Sequence, residues 1–410
     1  MSSQRYIAHF DLDSFFVSVE RIKDISLVGK PVVVGGHSDR AVVAACSYET
    51  RKYGVHSAMP MKQALRLCPE AIVVKGSMAD YSRYSRMVTD IINQKMPLVE
   101  KASIDEFYAD LTGMDKFFGC YQYTKELKQQ IIAETGLPVS FALASNKLIS
   151  KIATNEAKPN GEIEILSGTE KTYLAPMVIE KMPMVGERTK HSLQNIGIYT
   201  IGQMADTPIA LLQKLLGKTG VSLWQKANGI DSGVVTPDHE QKSISSENTF
   251  EKDTIDQAFL LHETVRLVEK ICYELRADKK FAGCLTIKIR YENFETVSKQ
   301  TVIDFTSSDH IVIPQAKSLF QQLCTIGRPV RLIGVRFSRL INENYQLNLF
   351  RKDDATPSLY HAIDAVKQKF GAKMVQRAVS LQALSNPELR PDSPLWFDRN
   401  AKSGAGDDNN

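Results

Sequence analysis

The sequence predicts an α+β protein of several domains, and three observations support this. The chain has 410 residues, more than one ordinary domain contains. Over the first 166 residues, short apolar segments typical of strands alternate with amphipathic segments typical of helices. A polar stretch with Gly and Pro, DSGVVTPDHEQKS, begins at residue 231 and precedes a second αβ unit. It predicts a tether between domains.

The first 166 residues predict a mixed α/β unit. Its predicted strands are IAHFDLD, PVVVGG, AVVAAC, AIVVKG and PVSFALA. Its predicted helices are 14–24, 60–68, 78–96, 121–135 and KLISKIATNEA, the last ending at KPNG.

Short helices broken by glycines follow over 167–230. The second αβ unit begins with a predicted helix at 254–278 and continues with three alternating segments, CLTIKIRYE, SKQTVIDF and RPVRLIGVRFSRL. A further helix, IPQAKSLFQQLC, lies between the last two. The final residues contain the peptide QLNLF, a predicted helix near 357–370, and an acidic tail expected to be disordered.

Composition narrows the class of protein. Apolar residues make up 43% and charged residues 24% of the chain, as in a globular protein with apolar cores. No apolar run approaches the roughly 20 residues of a membrane span, and the N-terminus lacks a signal-peptide pattern, so we expect a cytoplasmic protein. The six cysteines are scattered without a CxxC pair. This spacing argues against disulfides and zinc and predicts buried cysteines.

Net charge gives little information about partners. The chain has a formal charge of +4, and residues 242–341 contain 15 Lys and Arg against 12 Asp and Glu. This excess is only a weak indication of a polyanionic partner. Whether the chain binds one must be judged from where its charged residues lie.

Four acidic residues suggest a metal site. Asp11 and Asp13 are two apart in the first strand, where such side chains leave on the same face. Asp105 and Glu106 stand at a turn between two apolar runs, in LVEKASIDEFYADL. Carboxylates brought together resist joint ionisation unless a cation neutralises them, and Mg²⁺ prefers such ligands. An isolated DxD or SIDE more often caps a turn in solvent, so the surrounding motifs decide.

Those motifs occur in a specific order: FDLDSFFVSVE, AACSYETRKYGV, SAMP, KASIDEFYADLT and ASNKLISKIATNEAKPNG. Together they resemble the Y-family DNA polymerases, nearest the DinB (DNA polymerase IV) branch, over about residues 1–350. The resemblance implies a right-hand polymerase for low-fidelity translesion synthesis. It divides the chain into palm (1–18 and 77–166), small fingers (19–76), helical thumb (167–230), linker (231–241), αβ little finger (242–341) and C-terminal tail (342–410).

The resemblance also implies the catalytic residues. Asp11, Asp105 and Glu106 would bind two Mg²⁺ ions with help from the Leu12 carbonyl, and two such ions can activate a 3′-hydroxyl and hold the departing pyrophosphate. We expect Asp13 to support this site more than to ligate. Phe16 stands at the family's steric gate, where an aromatic ring would leave no room for a ribose 2′-hydroxyl.

The implied triphosphate ligands are Tyr48, Arg51 and Lys158. Arg offers a rigid fork of donors and Lys a compact charge, both suited to phosphate oxygens. One helical turn would place Tyr48 and Arg51 on one face. Backbone amides around Phe15 and Phe16 would add donors at a strand-to-helix turn. His56 stands where relatives more often have Arg or Lys, and we leave it out of the site.

Two regions predict DNA contacts that do not depend on base sequence. MPMVGERTKHSLQNIG resembles a helix-hairpin-helix in which Gly186 lets backbone amides approach a phosphate, and LLGKTG, with Gly217 and Gly220, is a candidate second copy. In the last αβ unit, alternation places polar side chains on one strand face, namely Lys288 and Arg290, Arg336 and Ser338, and Ser298 and Gln300.

The peptide QLNLF, Gln346–Phe350, matches the short pattern by which bacterial polymerases dock on a sliding clamp. Leu347, Leu349 and Phe350 would fill apolar pockets while Gln346 fixes the register. We therefore expect primer–template DNA, deoxynucleotides and the clamp as partners of a monomeric chain.

Three alternatives remain open. A nucleotidyl cyclase also uses a palm-like carboxylate site, but it predicts a Gly-Gly hairpin beside the acidic pair, where this chain has SIDE. A clamp-tethered scaffold with a decayed site predicts loss of a ligand or of Lys158. A UmuC-like subunit predicts that synthesis requires partner proteins.

Overall fold

The computed structural model describes residues 4–117, 119–237, 240–342, 356–371 and 374–379. These residues form two compact units. The first comprises 4–36 and 42–237, and the second comprises 37–41 and the described residues from 240 onward.

A five-stranded sheet forms the centre of the first unit. Its strands are β1 (Ile7–Leu12), β5 (Val99–Lys101), β6 (Glu106–Asp110), β7 (Val139–Ala144) and β8 (Glu162–Glu164), in the spatial order β5-β6-β1-β7-β8. Every residue of β1 and β7 is buried, as their continuous apolar patterns predict for central strands. Both neighbours of β1 pair with it antiparallel, placing Asp11 opposite Glu106 on β6 and Ser140 on β7.

A three-stranded sheet lies in the same unit, with the order β3-β2-β4. Its strands are β2 (Val32–Gly35), β3 (Val43–Cys46) and β4 (Ile72–Val74). The helices of this part are α1 (Phe15–Lys23), α2 (Tyr48–Arg51), α3 (Met61–Leu67), α4 (Met78–Lys95), α5 (Cys120–Thr135) and α6 (Lys147–Ala157). The predicted strands and helices of this region are confirmed to within a few residues.

Five short helices follow: α7 (Glu170–Leu174), α8 (Glu187–Gln194), α9 (Ile201–Asp206), α10 (Ile209–Leu216) and α11 (Lys218–Ala227). The turn before α8 lacks the first glycine of a Pro-Gly-x-Gly hairpin, and Met184 stands in its place. Met184 takes the left-handed φ of +76° that a glycine would adopt there. A non-glycine residue thus takes the left-handed position in this turn.

The stretch predicted as a tether is anchored over its first six residues. Asp231 accepts a hydrogen bond from the Leu148 amide at 3.2 Å, and the Thr236 amide donates to Glu100 at 2.8 Å. Val235 is 4% exposed and packs with Ile7 and Tyr108. The sequence did not indicate this docking, because only Val234 and Val235 are apolar in a polar segment.

The second unit is a four-stranded antiparallel sheet packed on helices. Its strands are β9 (Ser243–Thr254), β10 (Lys280–Tyr291), β11 (Thr296–Thr306) and β12 (Val330–Asn342), in the order β11-β10-β12-β9. Its helices are α12 (Gln257–Ala277), α13 (Asp309–Leu323) and α14 (Thr356–Phe370). Strand β9 was missed, since SISSENTFEKDT is largely polar and buries only Ile244, Asn248 and Phe250.

Two expectations from composition bear on the fold. All six cysteine side chains are buried, as predicted. Among the described residues, no helix is both long enough and apolar enough to cross a bilayer.

Candidate active site

The sheet of the first unit brings together three of the predicted carboxylates. Asp11 on β1 lies directly opposite Glu106, the first residue of β6. Asp105 precedes it in the turn, and its carbonyl accepts a hydrogen bond from the Leu12 amide at 3.0 Å. Residues more than ninety positions apart in sequence thus lie on adjoining strand ends.

Each carboxylate has a partner within hydrogen-bond distance. The Lys158 ammonium lies 2.6 Å from Asp11 Oδ2, and the Lys151 ammonium lies 2.6 Å from Glu106 Oε1. The Ser103 hydroxyl donates to Asp105 Oδ1 at 2.5 Å. Two cations therefore neutralise two of the acidic side chains.

Burial raises the pKa of Asp11 to about 7, even though Lys158 acts in the opposite direction. The neighbouring carboxylates of Asp105 and Glu106 contribute to the same rise. A raised pKa means that the ionised carboxylate is disfavoured in this buried position and is stabilised by a nearby cation. Shifted pKa values of this kind are common among functional carboxylates.

The described residues contain no set of three His, Cys, Asp or Glu side chains already arranged around one metal position. The reason is visible in the contacts, since Asp11, Glu106 and Asp105 are directed at Lys158, Lys151 and Ser103. The donor set nevertheless fits a hard divalent cation, because it consists of carboxylate oxygens on strand ends held in fixed register.

Asp13 lies outside strand β1, which ends at Leu12. The side chain is 1% exposed and accepts hydrogen bonds from Tyr48, Ser140 and the backbone of Asn160. Its oxygens thus have protein partners of their own, and its supporting role at the site stays a prediction.

The predicted triphosphate ligands lie around the same strand end. Tyr48 and Arg51 begin and end helix α2, and the Arg51 guanidinium lies 4.6 Å from the centre of the Tyr48 ring. Lys158 follows helix α6 directly and faces Asp11. Phe15 and Phe16 open helix α1, whose first amides have no partner within the helix.

Phe16 lies in an aromatic cluster. Its ring stacks on Tyr81 with a centroid distance of 4.1 Å and an interplanar angle of 9°. The Tyr81 hydroxyl donates to Glu20 at 2.8 Å, and a Cβ on Gly76 would lie 2.4 Å from that hydroxyl. One face of the Phe16 ring therefore packs against a buried tyrosine that is itself held by a hydrogen bond.

The two glycine turns of the helical region differ. A Cβ on Gly186, at the start of α8, would meet nothing within 4 Å, so the space beside it is open. A Cβ on Gly220 would lie 2.1 Å from the Leu212 carbonyl oxygen. Close packing of α11 on α10 therefore explains Gly220, and Gly217 takes a φ of +62° between the two helices.

The second unit has one apolar and one polar sheet face, as predicted. Leu285, Ile287 and Ile289 are fully buried on β10. On the other face Thr286 pairs with Gln300 on β11 and with Arg336 on β12, and Lys288 pairs with Ser298. This polar face also contains an acidic residue. Glu247, on strand β9, which was not predicted, forms an ion pair with Lys288 at 2.8 Å.

Remaining predicted residues are placed as follows. Arg290 on β10 donates to Thr296 at 2.9 Å, and Ser338 on β12 pairs with Cys284 and Ser243 in the sheet register. The peptide Gln346–Phe350, with Leu347 and Leu349, lies outside the described residues.

Lys151 contacts a candidate metal ligand, Glu106, and the sequence analysis missed it. A signal was present, because Lys147, Lys151 and Lys158 are spaced by four and seven residues, which places them on one side of a helix. In the structure these three pair with Glu100, Glu106 and Asp11 in turn. Two lysines of α6 and the lysine that directly follows it thus face three carboxylates of the sheet.

Comparison with known families gives matches along most of the chain. The impB/mucB/samB family matches residues 10–155, and the C-terminal domain of that family matches 241–349. The thumb domain of DNA polymerase iota matches residues 180–231.

Curated relatives are similar over nearly their whole length. A DNA polymerase IV from Dehalococcoides mccartyi strain CBDB1 is 39% identical over 91% of this chain and 97% of its own. One from Treponema denticola is 36% identical over 82% of this chain and 85% of its own. One from Methanoculleus marisnigri is 35% identical over 83% of this chain and 95% of its own.

Solved structures agree with these relatives. A Y-family DNA polymerase chimera, Dbh-Dpo4(243-245)-Dbh, is 25% identical, with a TM-score of 0.70 over 82% of this chain and 99% of its own. The insertion ternary complex of Dbh DNA polymerase is 26% identical, with a TM-score of 0.59 over the same shares.

Proposed function

Since this chain belongs to the Y-family of DNA polymerases, and is a DinB-like translesion DNA polymerase, we propose that its synthesis takes place at Asp11, Asp105 and Glu106. The observation that supports this assignment most is the strand register, which sets Asp11 against Glu106 and ties Leu12 to Asp105. The substrates would be a primer–template and a deoxynucleoside triphosphate.

Two divalent cations would be held by those three carboxylates and the Leu12 carbonyl. When bound, they would supply the Lewis acidity that activates a primer 3′-hydroxyl and stabilises the leaving pyrophosphate. The protein's part is to release Asp11 and Glu106 from Lys158 and Lys151 while keeping their backbones in register.

Tyr48, Arg51 and Lys158 would hold the triphosphate. Lys158 would exchange Asp11 for a phosphate oxygen, and the guanidinium of Arg51 is oriented by its stacking on Tyr48. The amides of Phe15 and Phe16 at the start of α1 would add neutral donors. Phe16, backed by Tyr81, would exclude a 2′-hydroxyl from the sugar position.

DNA would be held mainly through its backbone. Candidate contacts are the open turn at Gly186 and the polar sheet face with Lys288, Arg290, Arg336 and Ser338. Contacts of this kind position DNA without reading bases and weaken steeply with salt.

The division into palm, fingers, thumb, linker, little finger and tail stays part of this proposal, with the boundaries stated above. Docking on a sliding clamp through Gln346–Phe350, action as a monomer, and a cytoplasmic location complete it. The short apolar peptide follows strand β12 and would engage pockets on a partner through Leu347, Leu349 and Phe350.

Primer extension by the purified chain tests the proposal. With Mg²⁺, on undamaged and abasic templates, we expect synthesis by the wild type and none by Asp105→Ala, while fluorescence anisotropy shows unchanged DNA affinity. Asp110→Ala is the matched control, because Asp110 lies at the far end of strand β6 opposite Ile7. Equal synthesis by Asp105→Ala would refute the site, and synthesis only with added proteins would favour a UmuC-like subunit.

A further inference from the structure

The buried carboxylate of Asp13 lies beside the candidate site, and its specific role there is not yet defined. Asp13 follows strand β1 and is 1% exposed. The Ser140 hydroxyl lies 3.0 and 2.8 Å from its two oxygens, the Tyr48 hydroxyl donates to Oδ1 at 3.1 Å, and the Asn160 amide donates to Oδ2 at 2.7 Å. All of these donors are uncharged.

The donors come from three separate segments. Ser140 is on β7, Tyr48 opens helix α2, and Asn160 lies two residues after Lys158. The Gly161 amide in turn donates to the Ser140 hydroxyl at 3.2 Å. The Asp13 side chain therefore links strand β7, the short helix α2 and the turn that follows α6.

Two of these segments contain the residues proposed to bind triphosphate. Tyr48 is held directly, and its ring supports the Arg51 guanidinium at 4.6 Å. The turn after Lys158 is held through the Asn160 amide, and Asn160 itself adopts a left-handed φ of +50°. The three predicted ligands thus depend on contacts that meet at Asp13.

Asp13 differs from Asp11 in what surrounds its oxygens. Asp11 faces a charged lysine side chain, whereas the Asp13 oxygens accept from a hydroxyl of the sheet, a phenol and a backbone amide. Buried polar groups with all their hydrogen bonds made are rigid, and losing one partner leaves the others unsatisfied.

We propose that Asp13 is a positioning residue for the incoming triphosphate, holding Tyr48, Arg51 and the turn after Lys158 in one arrangement. It therefore sets nucleotide affinity and leaves the binding of the divalent cations unaffected. The inference rests on the proposed function, because it takes these three residues to be the triphosphate ligands.

Single-nucleotide insertion kinetics test the role of Asp13. Asp13→Asn keeps the shape of the side chain but removes its ability to accept from all donors at once. We expect its KM for dNTP to rise about tenfold while kcat changes by less than about threefold, a split expected when substrate binding is weakened. Mn²⁺ titration by electron paramagnetic resonance, without nucleotide, should give the wild-type affinity.

A second variant covers the case in which Asp13→Asn does not fold. Ser140→Ala removes one donor to Asp13 without touching a proposed ligand, and we expect the KM for dNTP to rise about threefold. Ser150→Ala is its control, since Ser150 is also buried but its hydroxyl donates to the Lys147 carbonyl of its own helix. It should leave KM unchanged.

The remaining outcomes overturn the inference. Loss of Mn²⁺ binding in Asp13→Asn would make Asp13 a ligand, and an unchanged KM in both Asp13→Asn and Ser140→Ala would remove its positioning role. Arg51→Met and Lys158→Met distinguish a failure of the Asp13 proposal from a failure of the proposed triphosphate site. If these raise KM and Asp13→Asn does not, only the inference fails; if these also leave KM unchanged, the triphosphate site itself is wrong.

Discussion

The Lys151 ammonium contacts both carboxylate oxygens of Glu106, at 2.6 and 2.7 Å. The carboxylate proposed to bind a divalent cation is therefore already neutralised by a residue of the protein. A cation that takes the same oxygens must first displace this lysine, so part of its binding free energy is spent on that displacement.

Replacing Lys151 by Met should strengthen divalent cation binding. The side chain keeps its length but no longer competes for Glu106, so we expect Mn²⁺ affinity at pH 8, without nucleotide, to rise about three- to tenfold. Lys147→Met is the matched control, because Lys147 pairs with Glu100 one helical turn away. Unchanged or weaker Mn²⁺ binding by Lys151→Met would show that the ion pair does not compete with the metal.

Phe16→Ala should admit ribonucleotides. Removing the ring that stacks on Tyr81 opens the space proposed to exclude a 2′-hydroxyl, and we expect the preference for dNTP over rNTP to fall at least about a hundredfold in kcat/KM. Phe16→Tyr keeps a ring and should keep the preference. Unchanged sugar discrimination in Phe16→Ala would remove Phe16 from this role.

Metal binding should depend on pH through Asp11. Burial raises the pKa of this carboxyl to about 7 from an ordinary value of 3.8. The protonated form thus contributes stability to the metal-free fold that is fully present below pH 4 and is lost as pH rises through about 7.

A cation can bind the ionised form of Asp11 only. We expect Mn²⁺ affinity to rise about tenfold per pH unit up to pH 7 and then to level off, with one proton released per site below that pH. Isothermal titration between pH 5.5 and 8.5 in buffers of different ionisation enthalpy measures both quantities. Constant affinity without proton release would show that Asp11 is ionised throughout.

Deleting residues 346–350 should separate synthesis from clamp stimulation. The apolar side chains of this peptide are proposed to anchor on the clamp, whereas the carboxylates proposed to be catalytic lie in the first unit. We expect unchanged primer extension without clamp and no stimulation with it. A five-residue deletion at 401–405 serves as the control, and continued stimulation after removal of 346–350 would reject the assignment.

Much of the fold follows from local patterns in the sequence. The apolar run IAHFDLD predicts β1, and KLISKIATNEA followed by KPNG predicts a helix that ends where α6 ends, because period and breakers agree at these places. Strand β9 was missed because its stability comes from pairing with β12 and from Phe250 in the core, neither of which a polar sequence displays.

The candidate site also combines residues that local motifs predict with residues whose contacts only the folded chain reveals. Asp11, Asp105 and Glu106 are predicted from motifs that resemble those of the Y-family polymerases, and strand pairing places Asp11 opposite Glu106. The roles of Lys151 and Asp13 depend on contacts across 45 and 127 positions, with Glu106 and Ser140 respectively. Single-sequence patterns report neighbours along the chain, so partners of this kind emerge only when the strands are assembled.

Anomalous diffraction from a crystal of the chain with primer–template, a non-hydrolysable nucleotide and Mn²⁺ tests the central claim most directly. We predict two Mn²⁺ peaks about 3.5–4 Å apart, within ligand distance of Asp11, Asp105 and Glu106, with Lys158 moved to the triphosphate. Peaks located elsewhere, with Asp11 and Glu106 still paired to Lys158 and Lys151, would contradict the account.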